Sequence, residues 1–126
     1  MRLLKSKAFD RFARSKGITD ADLWQAVDRA EKGLIDANLG GKVVKQRIAR
    51  EGEGKSGGFR SIIFYKSGTR AVFVHGFEKS ALENISAKEL KAFKDSAKVV
   101  LNLSDEQLAT AIKNGAFIEV LKPRPA

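Results

Sequence analysis

Apolar residues in the first sixteen positions fall at helical spacing: Leu4, Ala8 and Phe12 every four residues, with Phe9 and Ala13 alongside. The pattern predicts a short amphipathic helix within residues 2–16, closed by Gly17, with a strand as the alternative for the first few residues. The next helix has a clearer start. Thr19 stands at an N-cap, Asp22 three residues on completes an approximate capping box, and Ile18 with Leu23 forms a hydrophobic staple. Leu23, Val27, Ala30 and Leu34 then make one stripe, with Trp24 beside it, and the helix runs out near Gly33. The same grammar returns twice further on. Ser86 pairs with Glu89 and Ile85 with Leu90; Ser104 pairs with Gln107 and Leu103 with Leu108, before Asn114-Gly115 ends the last helix.

Between these helices the period changes to two. Val43–Ala49 puts Val44, Gln46 and Ile48 on one face and Val43, Lys45, Arg47 and Ala49 on the other. Phe59–Tyr65 and Thr69–Phe77 are rich in aromatic and β-branched residues, and Lys66-Ser67-Gly68-Thr69 reads as the hairpin turn between them. Ala71–Phe77 is apolar on both sides, as in a central strand covered on each face. Phe117–Leu121 is a candidate edge strand, followed by a tail expected to fray. The expected fold class is α+β: an antiparallel sheet of three to four strands, N-terminal helices packed on it and C-terminal helices after it. At 126 residues the chain is expected to form a single domain over residues 1–126.

Composition narrows the function classes. With no cysteine there is no thiolate nucleophile, disulfide framework or zinc-finger spacing, and no apolar run reaches the roughly 18 residues of a membrane helix. A cytoplasmic protein is the simplest expectation. The net charge is +9, and residues 42–79, with nine Lys/Arg against three Glu, supply +6 of it. An excess concentrated in mid-chain points to a polyanion such as nucleic acid, the alternative being a solvated surface.

That excess surrounds a loop with four glycines between two strands. Gly54-Lys55-Ser56 looks like the end of a P-loop, but the earlier glycine that motif needs falls on Ala49, and a strand rather than a helix follows. The loop can still cradle a phosphate on its backbone N–H groups with Lys55 adding charge, or its glycines can serve turn geometry alone. Lys45, Arg47, Arg50 and Arg60 flank it, and Arg60, sharing a strand face with Ile62 and Phe64, offers a fork for two-point phosphate binding. His75, the only histidine, shares a strand face with Ala71, Phe73 and Phe77. It is either a packed sheet histidine or a proton donor or acceptor opening into the basic cleft, with Lys79 just beyond the strand. Tyr65 and Phe77 are candidates to stack on a base. No His/Asp/Glu cluster has metal-ligand spacing and no Ser/His/Asp arrangement emerges, so metal-assisted hydrolysis is disfavoured.

Arg50-x-Gly-x-Gly-Lys-Ser-Gly-Gly-Phe-Arg60, followed by a hydrophobic strand, resembles the signature of RelE/HigB-type toxins of bacterial toxin–antitoxin modules. His75-Gly-Phe-Glu-Lys79 resembles the His-x-Phe-x-Lys segment of HigB-like members, and the order of elements agrees over about residues 2–101. Residues 104–126 then read as a C-terminal extension of a small RelE-like domain. The resemblance implies a ribosome-dependent mRNA endonuclease that works without metal or other cofactor. Its partners would be a cognate antitoxin, mRNA and the ribosome. The implied chemistry is attack of an RNA 2′-OH on the adjacent phosphate, leaving a 2′,3′-cyclic phosphate and a 5′-OH. Arg60 and Lys55 are assigned to phosphate stabilisation, Lys79 or His75 to proton transfer, and Lys45, Arg47, Arg50 and Ser56 to gripping RNA. Two alternatives stand beside it: a gyrase inhibitor like the related ParE branch, and a basic nucleic-acid-binding module without catalysis.

Overall fold

Ser6 decides where the first strand ends and the first helix begins. Its backbone is extended and its hydroxyl accepts from the Phe9 N–H at 3.1 Å, capping α1 (Lys7–Lys16) directly after β1 (Arg2–Ser6). The computed structural model describes residues 1–49, 58–78 and 85–124. Gly17, in the left-handed region at φ 68°, ends α1, and Thr19 with Asp22 forms the capping box of α2 (Asp20–Glu31). Then come β2 (Ala37–Asn38), β3 (Val43–Ile48), β4 (Phe59–Lys66) and β5 (Arg70–Glu78). The chain continues with α3 (Ala87–Val100), α4 (Asp105–Lys113) and β6 (Phe117–Glu119). Ser86 and Ser104 cap α3 and α4 with the two further boxes that the sequence announces. Leu34 is a correction: α2 stops at Glu31, Gly33 turns the chain at φ 83°, and Leu34 is 62% exposed rather than on the stripe.

The strands form one sheet in the order β2-β3-β4-β5-β1-β6. It has six strands and is mixed, not three to four and antiparallel: β1 lies parallel to β5, with Leu3 opposite Ala71 and Leu4 opposite Val72. The short adjacent pair Leu3-Leu4 fits a helix stripe as well as a strand. Only pairing with distant residues, β5 on one side and β6 on the other, selects the strand. β2 is two residues long and carries no period at all.

Both faces are covered. On one, Phe9, Ala13, Leu23 and Val27 of α1 and α2 pack against Leu3, Val44, Ile63 and Phe73. On the other, Ala97, Leu101 and Leu108 of α3 and α4 pack against Leu4, Val43, Ile62, Phe64 and Val72. Each fully buried Leu or Phe contributes about 1.5–3 kcal/mol and each cap about 1 kcal/mol, so the caps place helix ends while the two-sided core holds them. β6 brings α4 into the sheet, pairing Leu4 with Glu119 and Ser6 with Phe117. Arg2 grips Glu119 through two hydrogen bonds of 2.9 and 3.0 Å, which hold that carboxyl below its usual range. The Trp24 indole N–H donates to the Val120 carbonyl at 3.2 Å.

Glu31, at the end of α2, ties that helix to the β4–β5 hairpin. Its carboxylate accepts from the Tyr65 hydroxyl, from Ser67 Oγ at 2.8 Å and from the Gly68 N–H at 2.9 Å. The Tyr65 bond is the largest cause holding the Glu31 carboxyl below its ordinary value. A depressed folded-state pKa contributes stability that is present above the unfolded value and lost as pH falls through the folded one. Glu31→Gln is therefore expected to be less stable than wild type at pH 7, and the gap is expected to shrink as pH falls below the ordinary carboxylate range. Urea midpoints measured at pH 7, 5 and 3 check this, and a gap that does not narrow with acid would refute it. Asp10 and Glu119 are also depressed, so Glu31→Gln retains part of the acid sensitivity.

Candidate functional site

Residues paired across antiparallel strands project from the same face. Two such rows cross β3, β4 and β5 near one end of the sheet. Lys45, Ile62 and His75 form one row; Arg47, Arg60 and Phe77 form the next. Both lie on the face that carries α3 further along, because Ile62 and Phe77 belong to the core beneath that helix. Lys45, Arg47, Arg60 and His75 are partly exposed there. The structure thus brings these four sequence-predicted residues together on rigid strands.

His75 reaches this face through an irregularity. Ile62 pairs with His75, but the next residue, Ile63, pairs with Phe73, so Val74 is an extra residue in β5. The bulge turns His75 to the side opposite Ala71 and Phe73, whose partners Tyr65 and Ile63 face α1 and α2. A regular alternation puts His75 with Ala71 and Phe73, and that expectation is corrected here. The imidazole sits 5.9 Å from the Phe77 ring and 6.1 Å from Phe93 of α3, both tilted, so aromatic rings flank it on two sides. Behind it, Gly76 belongs to the opposite face. A Cβ there would stand 2.4 Å from the Phe12 ring, so the glycine lets α1 lie directly on the strand.

Arg60 is held rather than splayed into solvent. Its side chain is 11% exposed, its Nε lies 3.1 Å from Asp36 Oδ2, and its Nη1 donates to the Phe59 carbonyl at 3.4 Å. Arg29 of α2 donates to the Arg47 carbonyl, and burial, then the like charge of Arg47, lowers the Arg29 pKa. Arg29 and Asp36 are the residues that a sequence reading misses. Arg29 belongs to the polar side of a helix stripe, and Asp36 to a turn-rich connection, and only the fold carries them to Arg47 and Arg60.

Lys55, Ser56, Arg50 and Lys79 lie outside the described residues. Two other expectations change. Tyr65 faces α1 and α2 and bonds to Glu31, and Phe77 shares the row with Arg60 but is buried in the core beneath α3, so neither stacking candidate presents an open ring on the basic face. Arg70, counted in the mid-chain charge excess, is buried and donates through Nη1 to the Val100 and Leu103 carbonyls at 2.9 and 3.0 Å. That cation is structural, not part of an anion-binding surface. Among the described residues no group of three or more His, Cys, Asp or Glu side chains is placed to hold a metal ion, and no helix is long and apolar enough to cross a membrane.

What the rows offer chemically is a guanidinium with donors to spare, two further cations at the spacing of adjacent strands, and an imidazole against aromatic rings. Such a face can stabilise an anion whose charge grows during reaction, with an imidazole beside it. Compared with protein-family models, residues 1–120 match the one described as the RelE toxin of the RelE / RelB toxin-antitoxin system. No curated protein matches the chain.

Proposed function

The chain belongs to the RelE toxin family, and on that premise we propose that it is a ribosome-dependent mRNA endonuclease. Membership implies a cognate antitoxin as its partner. The observation that carries the endonuclease reading is the convergence of Lys45, Arg47, Arg60 and His75 on one face of three strands. A proposed reaction suits that set. The RNA 2′-oxygen attacks the neighbouring phosphorus and loses its proton to a base. The bond to the 5′-oxygen breaks, and that oxygen takes a proton from an acid, leaving a cyclic phosphate and a 5′-OH.

In this reading the Arg60 guanidinium faces the phosphoryl oxygens, where charge accumulates as the phosphorus becomes five-coordinate. Lys45 and Arg47 neutralise flanking phosphates, a contribution that weakens with salt. His75 either takes the proton of the 2′-OH or gives one to the 5′-oxygen, and Lys79 is the second candidate for this exchange. Lys55, with Arg50 and Ser56, extends the phosphate grip from the glycine-rich loop.

The test is to map mRNA 5′ ends in a reconstituted translation reaction, with and without ribosomes. The expected result is a set of cuts in the reading frame, bearing 5′-OH ends, that disappear when ribosomes are withheld. Intact mRNA in the presence of folded protein would overturn the reading, and inhibition of supercoiling under those conditions would favour a gyrase inhibitor.

A further inference from the structure

The Asp36–Arg60 contact is built from deep in the fold. Gln46 of β3 is only 2% exposed, and its amide donates to the Ala26 carbonyl at 2.9 Å and the Leu34 carbonyl at 3.0 Å. The same side chain's oxygen accepts from the Asp36 N–H at 3.1 Å. One buried amide therefore pins α2, the segment after it and the backbone of Asp36. From that fixed backbone Asp36 Oδ2 reaches Arg60 Nε at 3.1 Å, while the Phe59 carbonyl accepts from Nη1 at 3.4 Å.

An arginine has several freely turning bonds, and a strand fixes only the first of its atoms. A guanidinium carries five N–H donors. The Phe59 carbonyl takes one at Nη1, and the Asp36 carboxylate pairs with the group by charge 3.1 Å from Nε, which restrains the guanidinium and leaves donors for a ligand. We propose that Asp36 is a positioning residue for Arg60, holding the guanidinium in the orientation that meets the reacting phosphate. The inference rests on the endonuclease reading above, and adds a residue that acts through Arg60 without touching RNA.

Electrostatics alone and positioning predict opposite results. Removing a negative charge beside Lys45, Arg47 and Arg60 makes the face more positive, which by itself strengthens RNA binding and does not slow the chemistry. Loss of orientation slows the chemistry whatever happens to binding, since small misplacements of a reacting group cost up to about 10²-fold. The experiment uses the full chain as wild type, Asp36→Asn and Asp36→Glu. Single-turnover cleavage is measured on programmed ribosomes, and affinity with an mRNA carrying a 2′-deoxy residue at the cut site. In parallel, the Arg60 Nε–H resonance is followed in 15N-labelled protein.

The expected result for Asp36→Asn is about 10- to 100-fold slower cleavage, affinity equal to or tighter than wild type, and a broadened, fast-exchanging Arg60 Nε–H. Asp36→Glu, which keeps the charge, is expected to restore part of the rate. Asp36→Asn protein that cleaves at the wild-type rate, or whose Arg60 Nε–H stays sharp and protected, would overturn the proposal. Loss of thermal stability with no change in the rate of bound complex would likewise assign Asp36 a purely structural role. If wild type does not cleave, the endonuclease reading fails by itself, and the resonance comparison still decides whether Asp36 fixes Arg60.

Discussion

Arg60→Ala is expected to slow mRNA cleavage by about 10²–10³-fold, the cost of removing one well-placed donor from a site where negative charge develops. The expectation comes from the geometry around its guanidinium. The group is restrained by Asp36 at 3.1 Å, lies in a row with Arg47 and Phe77, and is adjacent to the row that holds His75. The fold should tolerate the loss. Asp36 has a side chain 35% exposed, so water can take over its carboxylate, and the stability cost is expected near 1 kcal/mol. Arg60→Lys keeps the charge but loses the planar fork, and is expected to recover only part of the rate. Single-turnover cleavage on programmed ribosomes, with thermal melts of each variant, measures both effects. A folded Arg60→Ala protein that cuts at the wild-type rate would remove Arg60 from the mechanism.

Arg70→Ala carries the largest expected effect on stability, about 3 kcal/mol. The residue is 5% exposed and sits at the start of β5, where its Nη1 reaches the Val100 carbonyl at the end of α3 and the Leu103 carbonyl just before α4. A cation at a helix C-terminus is favoured by the helix dipole, which helps to offset its burial. Truncation leaves two carbonyls without that donor and opens space between the sheet and the α3–α4 corner. Arg70→Met restores volume but not the donors, and is expected to recover less than half of the loss. Asp105, 3.8 Å from Arg70 and 89% exposed, adds little, so Asp105→Ala is expected to cost under about 1 kcal/mol. Urea unfolding at pH 7 orders these variants, and an Arg70→Ala midpoint equal to wild type would refute the assignment.

The helices were legible because their ends are written locally. Thr19 with Asp22, Ser86 with Glu89 and Ser104 with Gln107 each solve a backbone problem within four residues, so no distant contact is needed to recognise them. β3, β4 and β5 were legible for a similar reason, since alternation and turn chemistry set hairpins. β1 was not, because Leu3 and Leu4 take their meaning from Ala71, Val72 and Glu119. In the site, Arg60 and Lys45 followed from alternation alone. His75 did not, because one inserted residue at Val74 reverses which side it faces, and the local sequence gives no sign of the insertion. The charge count misled in one place: Arg70 adds to the basic excess on paper, yet its guanidinium is spent on carbonyls inside the fold.

The place of β1 in the sheet has a consequence for how this protein is made. Residue 4 leaves the ribosome early, but it pairs with residue 72 on one side and residue 119 on the other. The hairpins β3–β4 and β4–β5 close over short stretches of chain, whereas β1 depends on contacts of long sequence separation, which are expected to form more slowly. A nascent chain halted before residue 117 would carry β1 as an open edge, its N–H and C=O groups available to another strand. For this strand the first residues made must wait for the last ones before both of their edges are paired.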